Sequence, residues 1–132
     1  MHLAFIRTRG QAGLDAPCVT AEIHLSTGLP GFQVVGLSDT ACRAMRGRIR
    51  SAIISSHLKW PDYHITVNLA PAESLRQSAR YDLPVALGLL IASQQLPKAI
   101  AHNREFFGEL GLDGSIRQCR GVLSAVVAAT QA

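Results

Sequence analysis

Apolar and polar positions alternate most sharply between His64 and Ala70, where Ile65, Val67 and Leu69 are interleaved with His64, Thr66 and Asn68. A period of two over that length predicts a strand with one face in a core. Pro71 cannot donate to a ladder and is expected to end it. After a polar crossing the pattern changes. Leu83, Val85, Leu87, Leu89, Leu90 and Ile91 cover every direction of a helical wheel, which predicts a central, buried helix. Asp82 stands where an N-cap belongs, and Pro84 falls in the first turn, where no intrahelical donor is needed. Gly88 costs the helix about 1 kcal/mol relative to Ala, so a close approach to a neighbouring backbone is expected there.

The same periodicities organise the rest of the chain. HLAFIRT reads as a first strand directly after Met1, as at a native N-terminus, and a turn over residues 10–17 follows. In CVTAEIHLS, Val19, Ala21, Ile23 and Leu25 face one way and Thr20, Glu22 and His24 the other. STGLPG has hairpin-loop chemistry and leads into FQVVGL, so an antiparallel meander of three strands is expected before any helix. Ser38 or Asp39 can cap a helix running to about Ser56, with Ala41, Met45, Ile49, Ala52 and Ile53 as its apolar stripe. Beyond the connection QQLPKAIAHN, Asp113-Gly114 predicts a hairpin turn with positive φ at both residues. GVLSAVVAATQA begins a last helix with Val122, Leu123, Val126 and Val127 on its apolar side. It stops in mid-pattern, as a fragment of a longer protein would. The order of elements predicts one α+β domain over residues 1–132, with helices packed on a mostly antiparallel sheet.

Composition narrows function mainly by exclusion. With 132 residues, 48% hydrophobic and 5% aromatic, the chain suits an aliphatic-cored globular domain, with no bilayer-length apolar run and no signal peptide. Cys18, Cys42 and Cys119 are odd in number and scattered, consistent with buried thiols in a reducing cytoplasm. The net charge of +4 allows an acidic partner without requiring one. Phosphate-loop, dinucleotide, zinc-protease and nucleophile-elbow motifs are absent. The five histidines have no metal-ligand spacing, and His64 reads as a surface residue of its strand. Asp15, Asp39, Asp62 and Asp113 sit at turns or helix starts, where a carboxylate needs no catalytic role. Arg43, Arg46 and Arg50 share one side of the first helix, and Arg48 projects away from them. They form either a solvated face or a contact for phosphates or a subunit.

GLSDTACRAMRGRIRSAI, ITVNLAPA, YDLPVALGLLIAS and GELGLDGSIRQCRGVLSAVVAA together resemble the N-terminal domain of the magnesium-chelatase-like AAA+ proteins of the YifB/ComM family. The resemblance covers nearly the whole chain. It implies a ribosomal protein S5 domain 2-like sandwich, akin to the Lon protease catalytic domain. It also implies a following ATPase module that binds ATP and Mg2+, none of which belongs to this fragment. The implied parent is a cytoplasmic, ring-forming ATPase of ComM type that drives DNA branch migration. Partners would be its own AAA+ module, neighbouring subunits and DNA, with no membrane. One stretch departs from the family. Arg76-Gln77-Ser78 replaces a Lys-Glu-Gly run, which keeps a positive charge at Arg76 and loses the glycine.

The Lon comparison implies a test. Laying GELGLDG on the corresponding Lon hairpin places Asp82 at the nucleophilic serine and Ala125 at the lysine. Neither residue can play that part, neither Ser78 nor Ser124 has a lysine placed by the pattern, and the only lysines are Lys59 and Lys98. Three readings result: a non-catalytic accessory domain of a AAA+ ATPase, a direct nucleic-acid-binding module using Arg43, Arg46, Arg50 and Arg76, and a Ser-Lys peptidase that Asp82 and Ala125 argue against.

Overall fold

Strands β1 (Leu3–Arg9), β2 (Cys18–Ser26), β3 (Gly31–Val34) and β4 (His64–Ala70) form one mixed sheet in the order β1-β2-β4-β3. The computed structural model describes residues 2–11, 15–70, 79–119 and 122–132. In β2 and β4 the two-residue period appears directly as burial. Val19, Ala21, Ile23 and Leu25 point inward with Ile65, Val67 and Leu69, while Glu22, His64, Thr66 and Asn68 stay partly open on the other side. Pro71, the expected end of β4, lies outside the described residues.

The expected meander is not what forms. β3 does not pair with β2; β4 lies between them, antiparallel to β2 and parallel to β3. The seven-residue match of Ala21, Ile23 and Leu25 with Leu69, Val67 and Ile65 lines up two fully apolar inner rows. Four-residue β3 offers β2 no match of that length and becomes an edge. A parallel neighbour needs a crossover, which helix α1 (Asp39–Ser55) supplies between β3 and β4. The sheet is still mostly antiparallel, since β1–β2 and β2–β4 both run that way.

Ser38 caps α1, its hydroxyl accepting from the Ala41 amide at 3.2 Å. The buried stripe is Cys42, Met45, Ile49, Ala52 and Ile53, with Ala41 at its margin. Cys42 belongs to the stripe because its thiol bridges to β3, accepting from the Val34 amide at 3.4 Å and facing its carbonyl at 3.7 Å. The buried-thiol expectation therefore holds for Cys42, while Cys18 is exposed and Cys119 half-buried.

Helix α2 (Asp82–Ala92) packs on the inner face of β1 and β2 and against α1. Val85, Leu89, Leu90 and Ala92 are buried, so the core lies between one face of the sheet and two helices. Gly88 allows that approach, but its neighbours are side chains rather than backbone. A Cβ there would lie 2.3 Å from Ile23 Cδ1 and 3.4 Å from Ile6 Cγ1.

A short 3-10 turn (Lys98–Ala101) leads to the hairpin of β5 (Glu109–Leu110) and β6 (Ile116–Arg117). Its turn also departs from expectation, because Gly114 alone has a positive φ, +89°. The Gly111 amide donates to the Ser115 carbonyl at 2.8 Å and the Gly114 amide to the Gly111 carbonyl at 3.0 Å. That is a three-residue loop with one left-handed position, not a two-residue loop with two. Asp113 stays right-handed because its carboxylate accepts the Ser115 amide at 3.0 Å. The chain continues to helix α3 (Val122–Thr130), the third α-helix among the described residues.

Candidate functional site

Asp82 is not a helix cap. Tyr81 occupies the cap position of α2 but its side chain makes no capping hydrogen bond to the first turn, and Asp82 is the first helical residue. Its carboxylate turns sideways, where Arg48 of α1 donates through Nε to Oδ2 at 2.7 Å and through Nη2 to Oδ1 at 3.0 Å. The Leu110 amide of β5 donates to Oδ2 at 3.2 Å. One fully buried carboxylate thus ties α1, α2 and the hairpin together. Capping and this pairing compete for the same oxygens, and a bidentate guanidinium is the stronger donor. Burial pushes the Asp82 carboxyl above the ordinary carboxylate value, and the hydrogen bonds from Arg48 pull it partway back. Backbone bonds extend the junction: Leu83 donates to the Gly108 carbonyl at 3.0 Å, and Gly108 to the Arg80 carbonyl at 2.9 Å.

The other position of the Lon comparison, Ala125, is fully buried on α3. Ser78 falls outside the described residues, as do Arg76 and the whole Arg76-Gln77-Ser78 crossing, and Ser124 is half-buried. Among the described residues, no three His, Cys, Asp or Glu side chains gather as a metal site would need. In the same set, no helix is long and apolar enough to cross a membrane.

Arg43, Arg46 and Arg50 are all exposed on α1, as their spacing predicts, and Arg48 turns away from them to Asp82. The Arg46 guanidinium lies 5.5 Å from the Trp60 ring centroid, and Trp60 in turn meets Phe32 at 6.1 Å. Arg46 is therefore partly held on an aromatic base. Among the described residues, Arg43 and Arg50 make no hydrogen bond or ion pair.

Three features were missed in the sequence. The Arg48–Asp82 pair joins residues 34 positions apart, and its one trace is a lone arginine turned off the exposed face. Arg9 of β1 pairs with Glu105 through Nε at 2.6 Å and Nη2 at 2.9 Å, fastening the segment after the 3-10 turn to the sheet edge. No local pattern announces that pair. Third, α3 leaves its apolar side uncovered: Leu123 is 77% exposed and Val126 49%. The stripe itself was legible, but its lack of a cover was not.

An α+β domain with a mixed sheet, a buried inter-helix ion pair and an open apolar helix face defines a class of domain rather than an activity. The comparisons make the class specific. Residues 21–132 match the family described as subunit ChlI of Mg-chelatase. The chain is 45% identical over 132 residues to the YifB protein of Salmonella typhimurium, covering all of this chain and 26% of that protein. It is 46% identical to YifB of Escherichia coli, with the same coverage. It is 44% identical over 129 residues to the competence protein ComM of Haemophilus influenzae, covering 98% of this chain and 25% of ComM. The chain belongs to the magnesium-chelatase-like family of YifB and ComM, and it spans about a quarter of the length of these relatives.

Proposed function

We propose that this chain is a non-catalytic accessory domain, N-terminal in a magnesium-chelatase-like AAA+ ATPase, that docks against the motor module or a neighbouring subunit. The observation that carries the reading is α3, where Val122, Leu123, Val126 and Val127 are 40–77% exposed beside a fully buried Ala125. A contiguous apolar stripe of this kind marks a contact surface. In this reading ATP and Mg2+ are bound in the adjoining module. The parent is a cytoplasmic ring of ComM type that remodels DNA, and the α+β architecture is of the ribosomal S5 domain 2-like kind. The engagement of Asp82 supports the non-catalytic assignment, since its oxygens already accept from Arg48 and Leu110.

The test is a Leu123→Ser/Val127→Ser variant of the full-length protein. Both side chains are exposed in this domain, so the thermal midpoint of the domain should hold while ring assembly measured by sedimentation falls. Assembly equal to wild type would sink the docking proposal. The isolated chain should also turn over no ATP. Turnover above background that a point change within residues 1–132 removes would sink the non-catalytic part.

A second reading, direct nucleic-acid binding, is favoured by the exposed Arg43/Arg46/Arg50 face with Arg46 braced on Trp60. Aromatic support of an arginine is common where phosphates or bases are gripped.

A further inference from the structure

The sheet face turned away from the helices carries a groove of about 820 Å³ that neither the sequence motifs nor the family assignment accounts for. Phe5 and Arg7 of β1 stand on that face at alternate positions, and Thr20 of β2 is the register partner of Arg7. The 3-10 turn and the residues after it close the other wall with Lys98, His102 and Asn103. The wall is fixed in place: the Phe106 amide donates to the Arg7 carbonyl at 2.9 Å, and Glu105 is clamped by Arg9.

Charge and shape together limit what fits. Arg7, Lys98 and the His102 imidazole line the groove, and none of the described residues lining it is acidic. Among the described residues, Glu105 is engaged by Arg9, and Glu22, the register partner of Phe5, accepts from the Asn68 amide at 2.8 Å. Among the described residues, Arg7, Lys98 and His102 make no side-chain hydrogen bond or ion pair. Phe5 is 56% exposed, a large apolar ring left in water beside those cations. The volume falls within the ~300–1,000 Å³ of small-ligand sites. An anion alone would use the cations and ignore the ring; an apolar ligand would do the reverse.

We propose that this groove binds a nucleotide unit, with the base stacked on Phe5, the phosphate held by Arg7 and Lys98, and the sugar facing Thr20 and Asn103. An aromatic platform beside a cationic track is how base and phosphate are held together without sequence readout. The unit is chemically the same in a free nucleotide and in a single strand. This site is separate from the α1 arginine face and does not depend on the accessory-domain reading.

The test titrates the chain with a labelled adenosine nucleotide, a short labelled oligothymidylate and inorganic pyrophosphate. Saturable binding of one of the first two is expected, about tenfold or more weaker in Phe5→Ala and in Arg7→Ala/Lys98→Ala. Arg117→Ala, which removes a cation from the hairpin on the helix side of the sheet, should bind as wild type. Phe5→Leu keeps an apolar side chain without the π-face and guards against a folding defect, which circular dichroism checks for every variant. Preference for the oligonucleotide, with a salt slope reduced by roughly 0.7 per lost contact in the double variant, assigns a single strand. Preference for the mononucleotide assigns a free ligand. Three results overturn the proposal: no saturable binding of either, binding indifferent to Phe5→Leu, or pyrophosphate bound as tightly as the nucleotides.

Discussion

Asp82 shows how a residue placed correctly in an element can be misjudged in its partner. A carboxylate at the start of a helix satisfies every local rule for a cap, and nothing nearby in the chain points to Arg48. The pair makes an asymmetric prediction. Arg48→Ala leaves a fully buried carboxylate uncompensated and should cost about 3–5 kcal/mol near neutral pH. Asp82→Ala frees a guanidinium that is 24% exposed and can turn to water, so its cost should be lower, about 2–3 kcal/mol. The pH dependence follows from the direction of the shift. Burial holds the folded-state pKa of Asp82 above the ordinary 3.8, so the folded state binds the proton more tightly than the unfolded one. The contribution to stability is then fullest below the unfolded value and declines as pH rises through the folded value. Arg48→Ala removes the bonds that pull the pKa back down and widens that window. Its stability deficit should therefore shrink as pH is lowered from neutral toward the ordinary carboxylate range, whereas that of Asp82→Ala, which deletes the group, should grow. Denaturant midpoints at the two ends of that range check this, and a pH-independent Arg48→Ala deficit would rule out an ionised Asp82. Thr8 is a smaller case. Its hydroxyl is fully buried with no partner among the described residues, so Thr8→Val should be neutral or stabilising by up to about 1 kcal/mol. A loss above that in a thermal melt would point to an acceptor for the hydroxyl.

At the scale of elements, the packing of α2 on the sheet is set by the missing side chain of Gly88. Replacing Gly88 with Ala gains about 1 kcal/mol of helix propensity but drives a methyl to 2.3 Å from Ile23 Cδ1, in a fully buried position. Overpacking of this kind costs about 1–3 kcal/mol, so set against the propensity gain a net loss of up to about 2 kcal/mol is expected. Ile23→Val removes the closest atom, Cδ1, but leaves Cγ1 at 2.9 Å, so it should recover part of the loss in the double variant. Strict additivity of the two single changes would show that they do not share a contact. Element type was largely legible, because burial writes a period of two into β2 and β4 and a 3.6 period into α1. Element order was not. STGLPG marks a change of direction but does not name the strand that follows as a partner. The β2–β4 match that displaces β3 is made by residues more than 30 positions apart. The hairpin at Gly111–Ser115 was found by its turn residues and misassigned in type, since Asp113 bonds to Ser115 rather than entering the left-handed region.

For the molecule as a whole, one face of the sheet is covered by helices and the rest of the surface carries what is left for partners. Family membership was legible from several motifs in one order, and the arginine face of α1 from helical spacing. The groove at Phe5 and Arg7 was not, because its second wall comes from residues 98–103, which are held to β1 by long-range ties, the pairing of Arg9 with Glu105 and the Phe106 amide on the Arg7 carbonyl. The arginine face yields the widest prediction. Arg43, Arg46 and Arg50 are exposed, so replacing all three with Ala should leave the core intact, with a modest loss from the Arg46 contact on Trp60. If the face grips duplex phosphates in the full-length protein, affinity should fall about equally for all sequences. The slope of log affinity against log salt should then shrink by up to roughly 0.9 per lost contact. If it meets a neighbouring subunit, the variant should assemble poorly in the presence of nucleotide, and DNA affinity should fall only as far as the ring is lost. Sedimentation with nucleotide beside a salt titration separates the two, because the first outcome leaves assembly untouched and the second leaves the slope per assembled ring untouched. The favoured outcome is the assembly defect. Arg43 and Arg50 have no partner within the described domain, and the open stripe on α3 already calls for a neighbour. Normal assembly with an unchanged slope would reduce the face to solvated charge on a helix whose work is done by its other side.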